Sequence, residues 1–265
     1  MNSSVPIKLK AEGIKKYFYT HEGQIVRAVE NITLEVREGE FIALLGPSGC
    51  GKSTFLYMVA GFELPTEGEL YLDGDPITGP SPNRGIVFQE YVLFPWRTVR
   101  KNIEFGLEIQ GADKVSRAER SGELIGLVGL KGFEDAYPHT LSGGMQQRVA
   151  IARALAYDPS VLLMDEPFGA LDAQTRRRLI NDLVKIHEAT HKTTMFVTHS
   201  VEEAIGLSDR IFLFSCRPSC IKEVIEVTIP RPRELTSDDF IELQRTILRS
   251  LNEEVEKMME LTDDS

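Results

Sequence analysis

The sequence predicts an α/β protein with a mostly parallel sheet, an antiparallel β subdomain and an inserted helical subdomain. Continuous apolar runs such as Phe41–Leu45 are typical of strands that are buried on both faces of a parallel sheet. Alternating apolar and polar residues at positions 7–11 and 25–36 are typical of half-exposed antiparallel strands. Between Gln89 and Ser142 the sequence has little strand character, which predicts a helical insertion.

Length, charge and apolar content limit what the protein can do. A chain of 265 residues suffices for one large domain with an inserted lobe. Its 30 basic and 40 acidic residues give a formal net charge of −10, which is a poor match for nucleic acid. Three cysteines without paired spacing are typical of a reducing compartment, and because positions 1–10 contain no apolar core or cleavage site we do not expect export. The apolar runs are far shorter than the roughly 18 residues of a transmembrane helix, so we expect action at a membrane only through a partner.

Each continuous apolar run is followed by a polar turn and a helical segment. The three pairs are Phe41–Leu45 with Lys52–Ala60, positions 161–164 with 172–187, and positions 194–197 with Val201–Leu207. This repeated order predicts a parallel sheet whose ligands bind at the carboxyl ends of the strands. Further helices are predicted at 101–110 and 114–128, inside an insertion at about 90–158 of a domain spanning 1–235.

The tail at 236–265 is predicted to form one amphipathic helix. Ser237 can cap it, and Asp238 and Asp239 favour the positive end of the helix dipole. Apolar residues then recur at spacings of three and four, at Phe240, Leu243, Ile247, Leu251, Val255 and Met258.

Residues 46–53 fit the phosphate-loop pattern G-x-x-x-x-G-K-[ST], between a buried strand and a helix. Glycines let backbone N–H groups turn inward around the phosphates of a nucleoside triphosphate, and the helix dipole adds positive potential. Lys52 supplies a point charge, and the Ser53 hydroxyl is suited to Mg²⁺. The predicted nucleotide-binding residues of this loop are Gly46, Pro47, Ser48, Gly49, Cys50, Gly51, Lys52, Ser53 and Thr54.

Two carboxylates follow the apolar run at 161–164. Asp165 can hold Mg²⁺ through a coordinated water, and Glu166 can orient or deprotonate the attacking water. Such a pair also occurs at helix caps and turns, but downstream of a phosphate loop it predicts triphosphate hydrolysis.

A second anion-binding helix start lies in Leu-Ser-Gly-Gly-Met-Gln-Gln-Arg at 141–148. Ser142 can cap the helix, and Gly143 and Gly144 expose its first N–H groups. Kinases and nucleotide-regulated switches need no such second site, so this motif argues against both.

Together these motifs resemble the ATP-binding subunit of an ABC transporter, from position 8 to about 230. The resemblance rests on the phosphate loop, Gln89, residues 141–146, Asp165–Glu166, the Ala-Leu-Asp run ending at Asp172, and His199. It implies a phosphate-loop (RecA-like) fold and an ATPase that uses ATP and Mg²⁺. The implied catalytic residues are Glu166, His199 and Gln89, and the implied metal ligands are Ser53, Gln89 and Asp165.

The same resemblance implies a head-to-tail dimer. In this arrangement Asp172 communicates between the subunits, and ATP held by one subunit is covered by the partner copy's Ser142, Gly143, Gly144 and Gln146. An aromatic residue after the first strand stacks on adenine in this family. Alignment favours Phe18, with Tyr17 and Tyr19 as open alternatives.

The resemblance further implies an integral-membrane permease as partner. In the family, the region after Gln89 receives a helix of the membrane subunit, which assigns this contact to Tyr91, Phe94 and Trp96. The separate-chain layout and the Leu-Phe-Pro-Trp stretch resemble bacterial importers of the nitrate/sulfonate/taurine branch. We therefore expect a peripheral subunit on the cytoplasmic face of the cell membrane, working with a secreted or periplasmic solute-binding protein.

The alternative is a soluble ABC-type ATPase without a transporter, such as a DNA-repair or ribosome-associated factor. Such proteins usually carry a long coiled-coil insertion or two cassettes in one chain. The 52 residues from Glu90 to Leu141 leave no room for such an insertion, and 265 residues leave none for a second cassette.

Overall fold

The structure is a computed structural model that describes residues 5–20 and 22–263. The described residues form two compact units: the first lies within 1–81 and 191–265, and the second is Pro82–Thr190. Positions 1–4, 21, 264 and 265, which belong to the predicted regions 1–235 and 236–265, lie outside the described residues. No helix in the described part of the chain combines the length and apolar character that crossing a bilayer requires.

Regular structure alternates along the chain much as the sequence predicts. In chain order the elements are β1 (Ile7–Tyr19), β2 (Ile25–Arg37), β3 (Phe41–Leu45), α1 (Lys52–Ala60), β4 (Glu67–Leu72), β5 (Asp75–Pro76), β6 (Arg84–Val87), α2 (Val99–Ile109), α3 (Lys114–Leu127), α4 (Gly143–Leu155), β7 (Val161–Asp165), α5 (Ala173–Thr190), β8 (Thr193–Thr198), α6 (Val201–Leu207), β9 (Arg210–Phe214), β10 (Ile221–Glu226) and α7 (Asp238–Asp263). The observed bounds of α1 and α6 are those predicted, and the other predicted helices differ by one to three residues at their ends, where helices fray.

The first unit contains the antiparallel sheet, in the order β2-β1-β4-β5. Strand β1 pairs with β2 in a register that places Ile14 opposite Ile32, and both side chains are fully buried. In the second half of β2, buried Ile32, Leu34 and Val36 alternate with exposed residues, because one face of the sheet packs inward and the other meets water. The predicted antiparallel strands are confirmed.

The first unit also contains the parallel strands that lead to the phosphate loop. Strand β3 is buried at all five positions and pairs in parallel with β8 on one side and β9 on the other. Strand β10 adds an antiparallel edge next to β9. Helix α7 covers this sheet, because Phe240 and Ile247 enter a core that includes Ala43, Leu45 and Leu213. The predicted α/β class with parallel central strands is confirmed.

In the second unit, β6 and β7 form a parallel pair with Val87 opposite Met164. Helices α2, α3 and α4 pack on one another. Helix α2 passes so close to the Tyr157 ring that position 106 needs a glycine, because a Cβ on Gly106 would lie 2.7 Å from Tyr157 Cδ1. Thr98 caps α2 and Asp113 caps α3 through their side-chain oxygens. The boundaries of the helical insertion at about 90–158 stay a prediction.

Candidate functional site

The phosphate loop joins the end of β3 to α1 and wraps around the head of Lys52. Its Nζ donates hydrogen bonds to the carbonyl oxygens of Gly46 (2.9 Å) and Pro47 (2.8 Å). The side chain is only 3 % exposed, so the ammonium lies within the loop rather than in water. A cation at the first residue of a helix gives this turn a strong preference for anions.

Only glycine fits at position 51, directly before α1. Its φ is +116°, and a Cβ would lie 2.8 Å from the Ala28 carbonyl oxygen and 3.0 Å from Ser219 Oγ. The phosphate loop therefore rests against β2 on one side and against the chain after β9 on the other.

Cys50 is a packing residue of the loop. Burial raises the pKa of its thiol, and nearby Lys52 offsets this only in part. The thiol is therefore protonated at neutral pH, and its reactivity is low.

His199 leaves the sheet at the same edge as the phosphate loop. Strands β3 and β8 pair in parallel with Leu45 opposite Thr198, so Gly46 and His199 are the first residues after the two strands. The turn is fixed by Thr198, whose Oγ1 donates to Glu203 Oε2 (2.6 Å) and accepts from the N–H of Ser200 (2.9 Å). The His199 side chain is exposed, as contact with a bound phosphate requires.

Three aromatic residues near the end of β1 differ in their surroundings. The Tyr17 hydroxyl donates to Glu30 (3.2 Å), and the Arg27 guanidinium lies over the Tyr17 ring. Phe18 is 39 % exposed, and Tyr19 is more exposed still. Lys16 Nζ lies 5.0 Å from the centroid of the Phe18 ring, so Tyr17 and Phe18 both face a cation and these contacts do not decide the predicted assignment of Phe18 to adenine stacking. That assignment stays a prediction.

In the second unit the predicted acidic residues lie at the carboxyl end of β7. Asp165 is buried, and Glu166 has φ +41°, a left-handed conformation that is uncommon for residues other than glycine. A Cβ on Gly169 would lie 3.5 Å from both Gln89 Nε2 and the Glu166 carbonyl oxygen. The Gln89 side chain and the Glu166 backbone therefore both approach Gly169.

The glycine-rich helix start at 142–144 packs against two neighbouring loops. Ser142 caps α4, with its Oγ accepting from the N–H of Met145 (3.3 Å). A Cβ on Gly143 would lie 2.8 Å from Tyr91 Oη and 3.2 Å from Leu171 Cδ2. Glycine therefore allows the loop after Gln89 and the loop before α5 to meet at this helix start.

Two other predicted residues have partners inside the second unit. Gln146 Nε2 donates to the Leu141 carbonyl oxygen (3.2 Å). Asp172 caps α5, and its Oδ1 accepts from the N–H groups of Gln174 and Thr175 (both 3.0 Å). Hydrogen bonds from Thr175 and from the backbone lower the pKa of the Asp172 carboxyl, so it is ionised at neutral pH.

An apolar groove of about 390 Å³ opens beside the segment after Gln89. Its lining includes Ile86, Phe88, Val92, Phe94, Phe105 and Ile109. Phe94 packs on Phe105 with ring centroids 4.5 Å apart, and Trp96 stands near Phe94 with 72 % of its surface exposed. Of the three predicted membrane-subunit contacts, Phe94 lines the groove, Trp96 lies beside it, and Tyr91 contacts Gly143.

Arg153 on α4 also holds the segment after Gln89, and the sequence motifs do not predict it. Its Nη1 donates to the Val92 carbonyl oxygen (2.7 Å) and its Nη2 to that of Tyr91 (3.2 Å). Burial lowers the pKa of this guanidinium, and its cation also faces the Phe94 ring. No local sequence signal identifies Arg153, because its partners lie about 60 positions earlier.

Comparisons with known proteins show what the chain is similar to. The sequence profile described as ABC transporter matches residues 29–169. An ABC transporter ATP-binding protein of Methanocaldococcus jannaschii is 54% identical over 253 residues, covering 96% of this chain and 94% of the relative. The aliphatic sulfonates import ATP-binding protein SsuB of Bacillus cereus is 48% identical, covering 90% and 93%. The nitrate import ATP-binding protein NrtD of Synechocystis sp. is 44% identical, covering 89% of each chain.

A solved structure is similar over most of the chain. It is the dimeric structure of a post-hydrolysis state of the ATP-binding cassette MJ0796, bound to ADP and Pi. The TM-score is 0.72 at 33% sequence identity, covering 84% of this chain and 100% of that chain.

Proposed function

The chain belongs to the ABC transporter family, and we propose that it is the ATP-hydrolysing subunit of an importer for nitrate, a sulfonate, taurine or a related small solute. The observation that carries the proposal is the presence of two glycine-containing helix starts, one at Lys52 and one at Ser142, in a single chain. Two relatives named as import ATP-binding proteins, for sulfonates and for nitrate, support the importer over a soluble ATPase without a transporter.

ATP is bound by the phosphate loop, whose backbone N–H groups and Lys52 bind the phosphates. The solved relative with ADP and Pi supports hydrolysis as the reaction. Glu166 is the general base in this proposal, and its carboxylate takes a proton from the attacking water. His199 contacts the terminal phosphate from the end of β8, and Gln89 orients the water.

Mg²⁺ is proposed as the metal. A hydroxyl of Ser53, an amide oxygen of Gln89 and a carboxylate of Asp165 are hard oxygen donors, which this ion prefers. The buried carboxyl of Asp165 fits this role, because a buried acidic group is stabilised by a nearby cation. When bound, the ion supplies charge neutralisation at the phosphates.

Two copies are proposed to form a head-to-tail dimer around the nucleotide. Ser142, Gly143 and Gly144 of one copy then present the N-terminus of α4 to ATP held by the other. The dimeric solved relative supports this arrangement. Asp172 follows Leu171, whose side chain packs at Gly143. A shift of the helix start on contact with nucleotide would therefore also shift the loop through which Asp172 is proposed to communicate with the other copy.

The permease is proposed to dock at the apolar groove of the second unit. Half-buried Phe94 and exposed Trp96 provide aromatic surface there, and contiguous apolar surface of this kind marks an interaction site. Such docking makes the chain a peripheral subunit on the cytoplasmic face of the membrane. A solute-binding protein outside the membrane completes the proposed importer.

Transport into vesicles tests this function. The chain is reconstituted with the permease encoded beside it, the solute-binding protein and ATP, and uptake of nitrate, taurine and an alkanesulfonate is measured. We expect ATP-dependent uptake of one solute, and none with Lys52→Ala. ATP hydrolysis without uptake of any candidate, in a vesicle that holds the assembled complex, would reject this solute class.

A further inference from the structure

Helix α7 carries a buried stripe that ends in a charged residue. Phe240, Ile247 and Glu254 are spaced seven apart and are all buried, and Glu254 is only 2 % exposed. The first two enter the apolar core of the first unit. At the third position the same face carries a carboxylate instead, which is costly to bury unless it is paired and hydrogen-bonded.

Glu254 is held by three donors, which lie on α7, on β10 and in the turn between β9 and β10. Its Oε2 accepts from the backbone N–H of Cys216 (3.1 Å). The ammonium groups of Lys222 and Lys257 lie 3.0 Å and 2.7 Å from Oε1. The carboxylate thereby joins α7 to the turn at 215–220, which we call the Cys216 turn.

The Cys216 turn reaches the phosphate loop directly. Arg217 Nη2 donates to the Gly49 carbonyl oxygen at 2.8 Å. Ser219 lies beside Gly51, because a Cβ added to Gly51 would be only 3.0 Å from Ser219 Oγ. The same Oγ donates a hydrogen bond to the Ala28 carbonyl oxygen (3.1 Å). The Cys216 turn thus holds the Gly49 carbonyl group by a hydrogen bond and lies close to Gly51, and Glu254 joins that turn to α7.

We propose that Arg217 and Glu254 are positioning residues for nucleotide binding. Arg217 fixes the Gly49 carbonyl group, and Glu254 fixes the backbone of Cys216 from which Arg217 extends. The C-terminal helix thereby sets the shape of the phosphate loop. This inference rests on the proposed function, because it takes the loop to be the nucleotide site.

The physical reason is the flexibility of the loop. Glycines at positions 46, 49 and 51 leave the backbone with many accessible conformations, and ordering them on binding costs free energy. A loop that is held in its bound shape beforehand avoids this cost and binds more tightly. Each lost contact is expected to weaken nucleotide binding about 3- to 10-fold, the usual value of one hydrogen bond.

Titration of a fluorescent ADP analogue into the full-length chain with Mg²⁺ tests the proposal. The variants are Arg217→Ala, Glu254→Ala and the double variant, with Arg217→Lys as the conservative replacement. Glu256→Gln is the matched control, because it removes an exposed charge from the same helix. Steady-state ATPase assays and thermal unfolding without nucleotide accompany each titration.

We expect each single variant to raise the dissociation constant and the KM for ATP about 3- to 10-fold, with kcat changed less than twofold. The double variant should be no weaker than the weaker single variant, since both residues act through one connection. Arg217→Lys should recover part of the affinity, and Glu256→Gln should match the wild type.

Two results would overturn the proposal: an unchanged dissociation constant in Arg217→Ala, or effects that multiply in the double variant. Arg217 is exposed, so its variant keeps the test decisive even if Glu254→Ala does not fold. Lys52→Ala distinguishes an error in the nucleotide site from an error in the positioning role. If it binds the analogue as well as the wild type does, the nucleotide site itself is wrong. If it fails to bind while Arg217→Ala is normal, only the positioning role is wrong.

Discussion

Arg153 donates a 2.7 Å hydrogen bond to the carbonyl oxygen of Val92, a β-branched residue with φ +46°. Left-handed backbone is unfavourable for such a side chain, so this conformation needs outside support. Arg153 lies on the helix that Ser142 caps, and Val92 lies three residues after Gln89. One guanidinium thus joins the glycine-rich helix to the segment that leads from Gln89 to the apolar groove.

We expect Arg153→Met to lower the free energy of unfolding by about 1–3 kcal/mol, because two hydrogen bonds from a charged donor are lost. Methionine keeps most of the apolar contact with Phe94. Urea denaturation measures the change, with Arg177→Met as the control, since Arg177 is exposed on α5. Equal midpoints for the two variants would show that Arg153 does not stabilise this segment.

We expect Lys52→Ala to weaken ATP binding about 10- to 100-fold, as the loss of a charge-assisted contact predicts. Isothermal titration calorimetry measures the dissociation constant. Lys185→Ala is the control, because it removes an exposed lysine from α5 and should bind ATP normally. Nucleotide affinity equal in both variants would contradict the assigned site.

We expect Trp96→Ala to reduce capture of the permease and to lower solute uptake, while ATP binding stays intact. The exposed ring supplies apolar contact area beside the groove, and aromatic residues are frequent centres of binding energy. Phe62→Ala removes another half-exposed aromatic side chain, in the first unit, and serves as the control. Full capture and full uptake with Trp96→Ala would exclude this surface as the docking site.

Glu254 predicts a loss of stability in acid. Burial alone would raise the pKa of its carboxyl, but hydrogen bonds from Lys257, the Cys216 N–H and Lys222 outweigh it and lower the pKa to about 2, below the ordinary 4.5. A lowered pKa in the folded state means stabilisation that is complete above pH 4.5 and lost as the pH falls toward 2, up to about 3 kcal/mol in total.

Urea denaturation at pH 6 and at pH 3.5 measures this effect. The wild type should lose more stability between the two pH values than Glu254→Gln, which cannot titrate. The Cys216 thiol faces the same carboxyl, and its pKa is raised by burial and by Glu254, so it stays neutral in this range. Equal losses of stability in the wild type and in Glu254→Gln would show that Glu254 does not cause the sensitivity to acid.

Sequence patterns predicted the parts of the fold that depend on local chemistry. The phosphate loop, the exact bounds of α1 and the buried strand β3 follow from glycines, helix-forming residues and a continuous apolar run. Strand β4 was not predicted, because Glu67, Gly68 and Glu69 have low strand propensity and the strand forms by pairing with β1.

The sequence could not reveal the contacts that support the site. In the sequence Glu254 resembles an ordinary solvated charge on a helix, and only the position of Cys216 in the fold makes it a buried partner. No sequence pattern identifies Arg217 or Arg153 either, because their acceptors are backbone carbonyl groups far away in sequence. Long-range contacts to backbone atoms leave no residue pattern to detect.

Glu166 is the residue on which the hydrolytic part of the account depends. Its replacement by glutamine keeps the size of the side chain and removes the general base. ATP turnover should therefore fall by roughly 10²-fold or more, while ATP still binds. A copy that binds ATP without cleaving it should accumulate in the closed, dimeric state.

Sedimentation velocity of Glu166→Gln measures directly whether two copies close around ATP. With saturating ATP and Mg²⁺ we predict a species of twice the mass of the chain, which is 29.7 kDa, and a single copy when ADP replaces ATP. A single-copy species at saturating ATP, both alone and with the permease in detergent, would show that two copies do not close around ATP.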